Sequence, residues 1–143
     1  MEVFLLKIST KGRYALRLML DIALYSENKP VSIKEISKRQ GISDKYLEQI
    51  ISVLNSAGYV RSVRGPQGGY LLTREPQEYT VGMILKLTEG SLAPVICVED
   101  DASPCDNMGC CPTVEIWKRL NTAINDVVEN ITLADLIEWS KKE

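Results

Sequence analysis

The sequence predicts a mainly α-helical protein with a small β-hairpin wing: a winged helix-turn-helix followed by a long C-terminal dimerisation helix. Three observations predict it. Two amphipathic helix patterns flank a turn of about three residues at Gly41-Ile42-Ser43, the spacing a DNA-reading helix-turn-helix needs. A Gly-rich tip, Arg64 to Gly69, sits between two short runs of strand character directly after the second helix. The charge is also divided: residues 1–75 hold 12 Lys and Arg against 7 Asp and Glu, whereas residues 76–143 hold 5 against 12. The net charge of −2 alone argues against a nucleic-acid partner, but a basic half carrying the helix-turn-helix reverses that judgement.

The elements follow in order. Residues 1–6 form an extension whose apolar run, Val3 to Leu6, is far too short for a signal segment or a membrane span. A cytoplasmic location with no membrane partner is therefore expected. From about Thr10 to Ser26, Tyr14, Leu18, Ile22 and Tyr25, with Ala15 and Met19, mark a first helix buried on nearly two sides. Lys11, Arg13 and Arg17 near its start suit backbone phosphates, or else line a solvated face. Ser32 to Glu35 has the pattern of a capping box opening a helix through Gln40, with Ile33 and Ile36 inward. Ser43 then caps a recognition helix, Asp44 to Ala57, whose Leu47, Ile50, Ile51 and Leu54 form one apolar stripe. Lys45, Glu48, Gln49 and Ser52 fall on the other face, and Gly58 ends the helix in the left-handed conformation.

In the wing, Arg61 and Arg64 flank a tip containing Gly65 and Gln67, which suits insertion into a minor groove or docking on phosphates. The competing reading is a plain surface hairpin whose glycines serve only turn geometry. Thr80 caps a helix carrying Val81, Ile84, Leu85 and Leu87, closed by Gly90. Residues 91–112 lack periodicity, include Glu99-Asp100-Asp101, and contain all four cysteines: Cys97, Cys105, Cys110 and Cys111. Such a stretch inside a compact domain is usually functional or disordered.

Thr113 opens what is expected to be the longest helix, to about Asn130, with Val114, Trp117, Leu120, Ile124, Val127, Val128 and Ile131 as its stripe. That stripe packs either on a second copy of the chain, through Trp117, Leu120, Ile124, Val127 and Val128, or on the first helix. Thr132 to Asp135 caps a last short helix ending at Trp139. The organisation is thus residues 1–90 as DNA-binding domain, 91–112 as sensor loop and 113–143 as dimerisation helix plus C-terminal helix. Catalysis is not expected, since the chain has no histidine, no nucleophile elbow and no cofactor fingerprint.

A reducing compartment argues against a disulfide framework and for soft-metal or redox chemistry at the cysteines. Seven residues separate Cys97 from Cys105 and five separate Cys105 from Cys111, whereas zinc knuckles use tighter spacing that only Cys105 to Cys110 satisfies.

Ile8 to Ala15, Gly41 to Ser43, Tyr46 to Gln49, Val63 to Pro66, Gly68 to Tyr70, three of the cysteines and Ile131 to Leu136 together resemble the Rrf family of bacterial winged-helix regulators. The resemblance spans residues 7 to about 139 and is greatest to the IscR-type branch of iron-sulfur-sensing repressors. It implies a homodimer on pseudo-palindromic double-stranded promoter DNA. It also implies an iron-sulfur cluster, 2Fe-2S in preference to 4Fe-4S and prone to loss on purification, held by Cys97, Cys105 and Cys111. Glu48 occupies the position that governs the accepted operator class, Lys45 and Gln49 lie near base edges, and Arg64 enters the minor groove; Ser43, Tyr46, Gly65 and Gln67 complete the interface. The chain departs from the pattern at Val114, where the branch supplies a histidine, so the fourth ligand stands open between Cys110, Glu115 and a residue of the partner subunit. An NsrR-like 4Fe-4S cluster is the variant consistent with that departure. The contrasting expectation is a cluster-free, CymR-like regulator governed by a partner protein or by thiol oxidation.

Overall fold

Side-chain hydroxyls start the helices. In the computed structural model, which describes residues 7–27, 29–99 and 111–142, Ser9, Ser32, Ser43, Thr80 and Thr132 each accept a backbone N–H from three residues ahead. They open α1 (Thr10–Tyr25), α2 (Ile33–Gln40), α3 (Asp44–Ser56), α4 (Val81–Glu89) and α6 (Leu133–Ser140). Each bond satisfies one of the amides a helix start leaves orphaned. Gly41, Gly58 and Gly90 turn the chain at the ends of α2, α3 and α4 with positive φ.

The wing is an antiparallel pair, β1 (Val60–Val63) and β2 (Gly69–Leu72), registered Val60 to Leu72 and Val63 to Gly69. A bridge between Val31 and Tyr70, with N–H···O distances of 2.8 and 3.0 Å, ties β2 to the chain entering α2. This close approach explains Gly69, whose Cβ would strike the Val31 carbonyl; a Cβ on Gly68 would strike that of Val63. Here both competing readings of the glycines meet: they serve local geometry, and the geometry they serve is a hairpin fastened to the helix-turn-helix.

The core gathers α1, α2 and α3 around Leu18, Met19, Ile22, Ile36, Leu47, Ile50 and Leu54, all 0% exposed. Tyr79, equally buried, follows a 3-10 turn at Pro76–Glu78 and holds the base of the wing. Its hydroxyl donates to the Tyr59 carbonyl at 2.7 Å and accepts the Thr73 and Arg74 amides, each at 3.1 Å.

The C-terminal part departs from expectation in three ways. Helix α5 (Val114–Val128) has 15 residues against 16 in α1, so the helix expected to be longest is not. Val128 turns inward to pack with Val81 and Leu85. Helix α6 folds back on α1 and buries Leu133 completely, with Leu133 N–H bonded to Tyr79 O at 2.9 Å and Val81 N–H to Ile131 O at 2.8 Å. Residues 131–140 therefore complete the winged-helix body. At the other end of α1, Tyr25 is half exposed rather than part of the apolar stripe. No helix among the described residues is long and apolar enough to cross a membrane.

Candidate functional site

The exposed face of α3 carries Lys45, Glu48, Gln49 and Ser52, at spacings that keep them on one side of the helix, opposite buried Leu47, Ile50, Ile51 and Leu54. One cation, one carboxylate and one amide on a rigid helix provide donors and acceptors for base edges. Ser43 lies at the helix start, where its hydroxyl accepts Tyr46 N–H at 3.2 Å and keeps its own proton free to donate. Tyr46 is half-buried and packs edge-on against Tyr14, with ring centroids 5.6 Å apart. It joins the start of α3 to α1.

The structure places the wing residues Arg61, Arg64, Gly65 and Gln67 in exposed positions, with Gly65 at φ +114° turning the tip and the Gly68 N–H closing onto the Gly65 carbonyl at 3.0 Å. On α1, Lys11 is half-buried, and exposed Arg13 donates to Thr10 Oγ1 at 3.2 Å. Arg17, read from sequence as a phosphate contact or a solvated residue, instead bonds Gln40: its Nε meets Oε1 at 3.0 Å and its terminal nitrogen meets the backbone carbonyl at 2.6 Å. Sequence reasoning also missed its neighbour Asp21, a fully buried carboxylate in a salt bridge with Arg39 at 2.7 Å. The legible signal was an acidic residue among the apolar positions of α1 with basic residues at the end of α2.

Of the cysteines, Cys97 and Cys111 are half-buried, while Cys105 and Cys110 lie outside the described residues, as do Asp100 and Asp101. Cys97 belongs to a 3-10 turn at Ile96–Val98, which rests on α5 where Asn121 Nδ2 donates to Val98 O at 3.4 Å. Cys111 stands just before α5. Its thiol is held below the usual cysteine range, first by a hydrogen bond with the Thr113 hydroxyl at 3.1 Å, then by the Thr113 and Val114 amides, with slight desolvation opposing. The ionised thiol is the form that ligates metal or reacts with oxidants. Soft thiolates clustered near one helix start fit an iron-sulfur group. Among the described residues no three His, Cys, Asp or Glu side chains converge. Glu115 is exposed and paired with Arg119 at 3.2 Å, a surface pair that carries little energy.

Glu89 links the root of this segment to the DNA-facing side. Its carboxylate accepts the Ser9 N–H at 3.1 Å and also the Ser9 hydroxyl, and it occupies the space a Cβ on Gly12 would need. The last residue of α4 thus caps the start of α1, where Lys11 and Arg13 sit.

On α5, Ile116 (51% exposed), Leu120 (37%) and Val127 (57%) are open to solvent, as is Ala123. Their spacing of four, three and four is the heptad seam of paired helices. Trp117 and Ile124 flank that seam half-buried, and Val128 faces away from it. The seam is therefore rotated from the stripe expected from sequence, with Ile116 and Ala123 as additions.

A family model described as Rrf2, an iron-dependent transcriptional regulator, matches residues 8–139. The HTH-type transcriptional regulator CymR of Bacillus subtilis (strain 168) is 39% identical over 138 residues, covering 96% of this chain and 94% of its own length. The HTH-type transcriptional regulator IscR of Pectobacterium atrosepticum is 42% identical over 132 residues, covering 92% and 79% respectively. The solved structure of CymR (YrzC), described as the global cysteine regulator of B. subtilis, matches with a TM-score of 0.78 and 40% identity, over 94% of this chain and 98% of that one.

Proposed function

This chain belongs to the Rrf2 family of DNA-binding transcriptional regulators, and from that premise we propose that two copies pair through α5 and read a pseudo-palindromic operator, with affinity set by an iron-sulfur cluster. Lys45, Glu48 and Gln49 meet base edges, Glu48 accepting from cytosine and excluding operators that offer no donor. Arg61, Arg64 and the Gly65–Gln67 tip reach the minor groove or its phosphates, and Lys11, Arg13 and Ser43 hold the backbone. The observation that carries the DNA reading is the joined surface of α3 and wing. The two are held in fixed relation by the Val31–Tyr70 bridge and the Tyr79 hydroxyl. The heptad seam at Ile116, Leu120, Ala123 and Val127 supports pairing.

Cys97, Cys105 and Cys111 would hold the cluster, 2Fe-2S in preference to 4Fe-4S, with Cys110, Glu115 or a residue of the partner subunit as fourth ligand. Bound there, it supplies a crosslink between residues 91–99 and the start of α5 that oxidants or iron limitation remove. Through Gly90, Glu89 and Ser9 the state of that segment reaches the start of α1. A coupling of about 1–3 kcal/mol between loaded and empty states is the usual scale. Anaerobic reconstitution followed by visible absorption and iron analysis tests the cluster, and colourless, iron-free wild type sinks it. Affinity that is unchanged by replacing Cys97, Cys105 and Cys111 with Ser removes the segment as sensor.

A second reading, a cluster-free regulator governed by thiol oxidation or a partner protein, is favoured by the stabilised Cys111 thiolate and by similarity to CymR over nearly the whole length of both chains.

A further inference from the structure

We propose that Asp21, Gln40 and Arg17 form a polar clamp that fixes the setting of α3 and thereby determines how sharply the protein tells its operator from other DNA. The inference rests on α3 being the DNA-reading helix.

Asp21 lies on α1 among Leu18, Met19 and Ile22, all fully buried, where an apolar side chain would pack without the cost of removing a carboxylate from water. Its oxygens accept Arg39 Nε at 3.0 and 3.3 Å, an Arg39 terminal nitrogen at 2.7 Å and Gln40 Nε2 at 2.9 Å. Arg17, one turn earlier on α1, donates to the side-chain and backbone oxygens of the same Gln40. Arg39 cannot swing freely, because its guanidinium lies over the Tyr25 ring at 3.9 Å. Two residues of α1 therefore converge on the last two residues of α2.

Gly41, immediately beyond, is in the left-handed conformation at φ 68°, and Ser37 Oγ donates across the turn to Ile42 O at 2.6 Å. Ser43 then opens α3. Ile36, Ile42 and Leu47 pack this corner, but apolar contacts are non-directional and tolerate small rotations. The directional bonds of the clamp do not. A buried polar network that contributes little net stability but selects one geometry is the best-attested use of such groups. Base-edge hydrogen bonds demand that geometry, whereas attraction to phosphates tolerates misalignment.

The test uses full-length Gln40→Met, which cuts the side-chain relay, and the paired variant Asp21→Leu/Arg39→Met, which removes the buried ion pair as a unit. Probes are a duplex enriched by wild type from a randomised pool and a shuffled duplex of the same composition, titrated by fluorescence anisotropy at one salt concentration. Circular dichroism reports folding. The clamp predicts variants that melt near the wild-type temperature and bind the shuffled duplex like wild type. The ratio of affinities for the two duplexes falls about tenfold, within the worth of one bidentate base contact. An unchanged ratio, or equal weakening on both duplexes, overturns the inference; should the paired variant not fold, Gln40→Met alone decides. Wild type without any sequence preference would remove the reading of α3 itself, and this inference with it.

Discussion

Replacing Tyr79 with Phe deletes one oxygen and tests whether the wing is part of the rigid body or an appendage. The hydroxyl is saturated: it donates once, to Tyr59 O, and accepts twice, from Thr73 and Arg74 N–H. Its ring is 0% exposed, so Phe fits the same space and the change is confined to three hydrogen bonds. A buried group left unpaired costs roughly 1–3 kcal/mol, but Thr73 and Arg74 are exposed and water recovers part of that. A net loss of about 2 kcal/mol results, lowering the melting temperature by about 6 °C for a domain of this size. Thermal unfolding by circular dichroism measures the shift, and hydrogen exchange should show faster amides at Thr73 and Arg74. Operator affinity should fall with the wing less firmly held. Melting within about 1 °C of wild type, with amide protection intact, would refute the reasoning.

Arg64→Ala should weaken operator binding and reduce the slope of log affinity against log salt by about 0.9 if the guanidinium meets one phosphate; an unaltered titration returns Arg64 to a plain surface role. Val127→Asp places a charge on the heptad seam at an exposed site, so sedimentation should shift from dimer to monomer with helicity unchanged. A persistent dimer would move the interface elsewhere. In metal-free protein, iodoacetamide modification of Cys111 should keep its midpoint below the roughly 8.5 of free cysteine and fall off as pH drops through that depressed value. Thr113→Val removes the leading cause, so the midpoint should rise and the rate at neutral pH fall. Peptide mass spectrometry gives the rates, and identical profiles would contradict the assignment.

Helix starts and turns were legible because their causes are local: Ser32, Ser43, Thr80 and Thr132 cap within one turn, and Gly41, Gly58 and Gly90 turn the chain just after helices end. The exposed face of α3 was legible too, because its buried stripe fixes it by subtraction. What escaped depends on contacts between residues far apart in sequence. Nothing local marks Tyr79 as the fastener of the wing or joins Asp21 to Arg39. The inward turn of Val128 depends on α4, so the α5 stripe could be read as apolar without its exposed edge being read correctly. Glu89 as the cap of α1 lies 80 residues from Ser9.

Selection of duplexes from a randomised pool by the full-length protein, followed by measurement of the protomers bound per selected duplex, tests the account at its centre. Two α3 helices related by a two-fold axis predict two inverted half-sites spaced by whole helical turns, with two protomers bound. A single unrepeated site occupied by one protomer, or no enriched sequence at all, would contradict it.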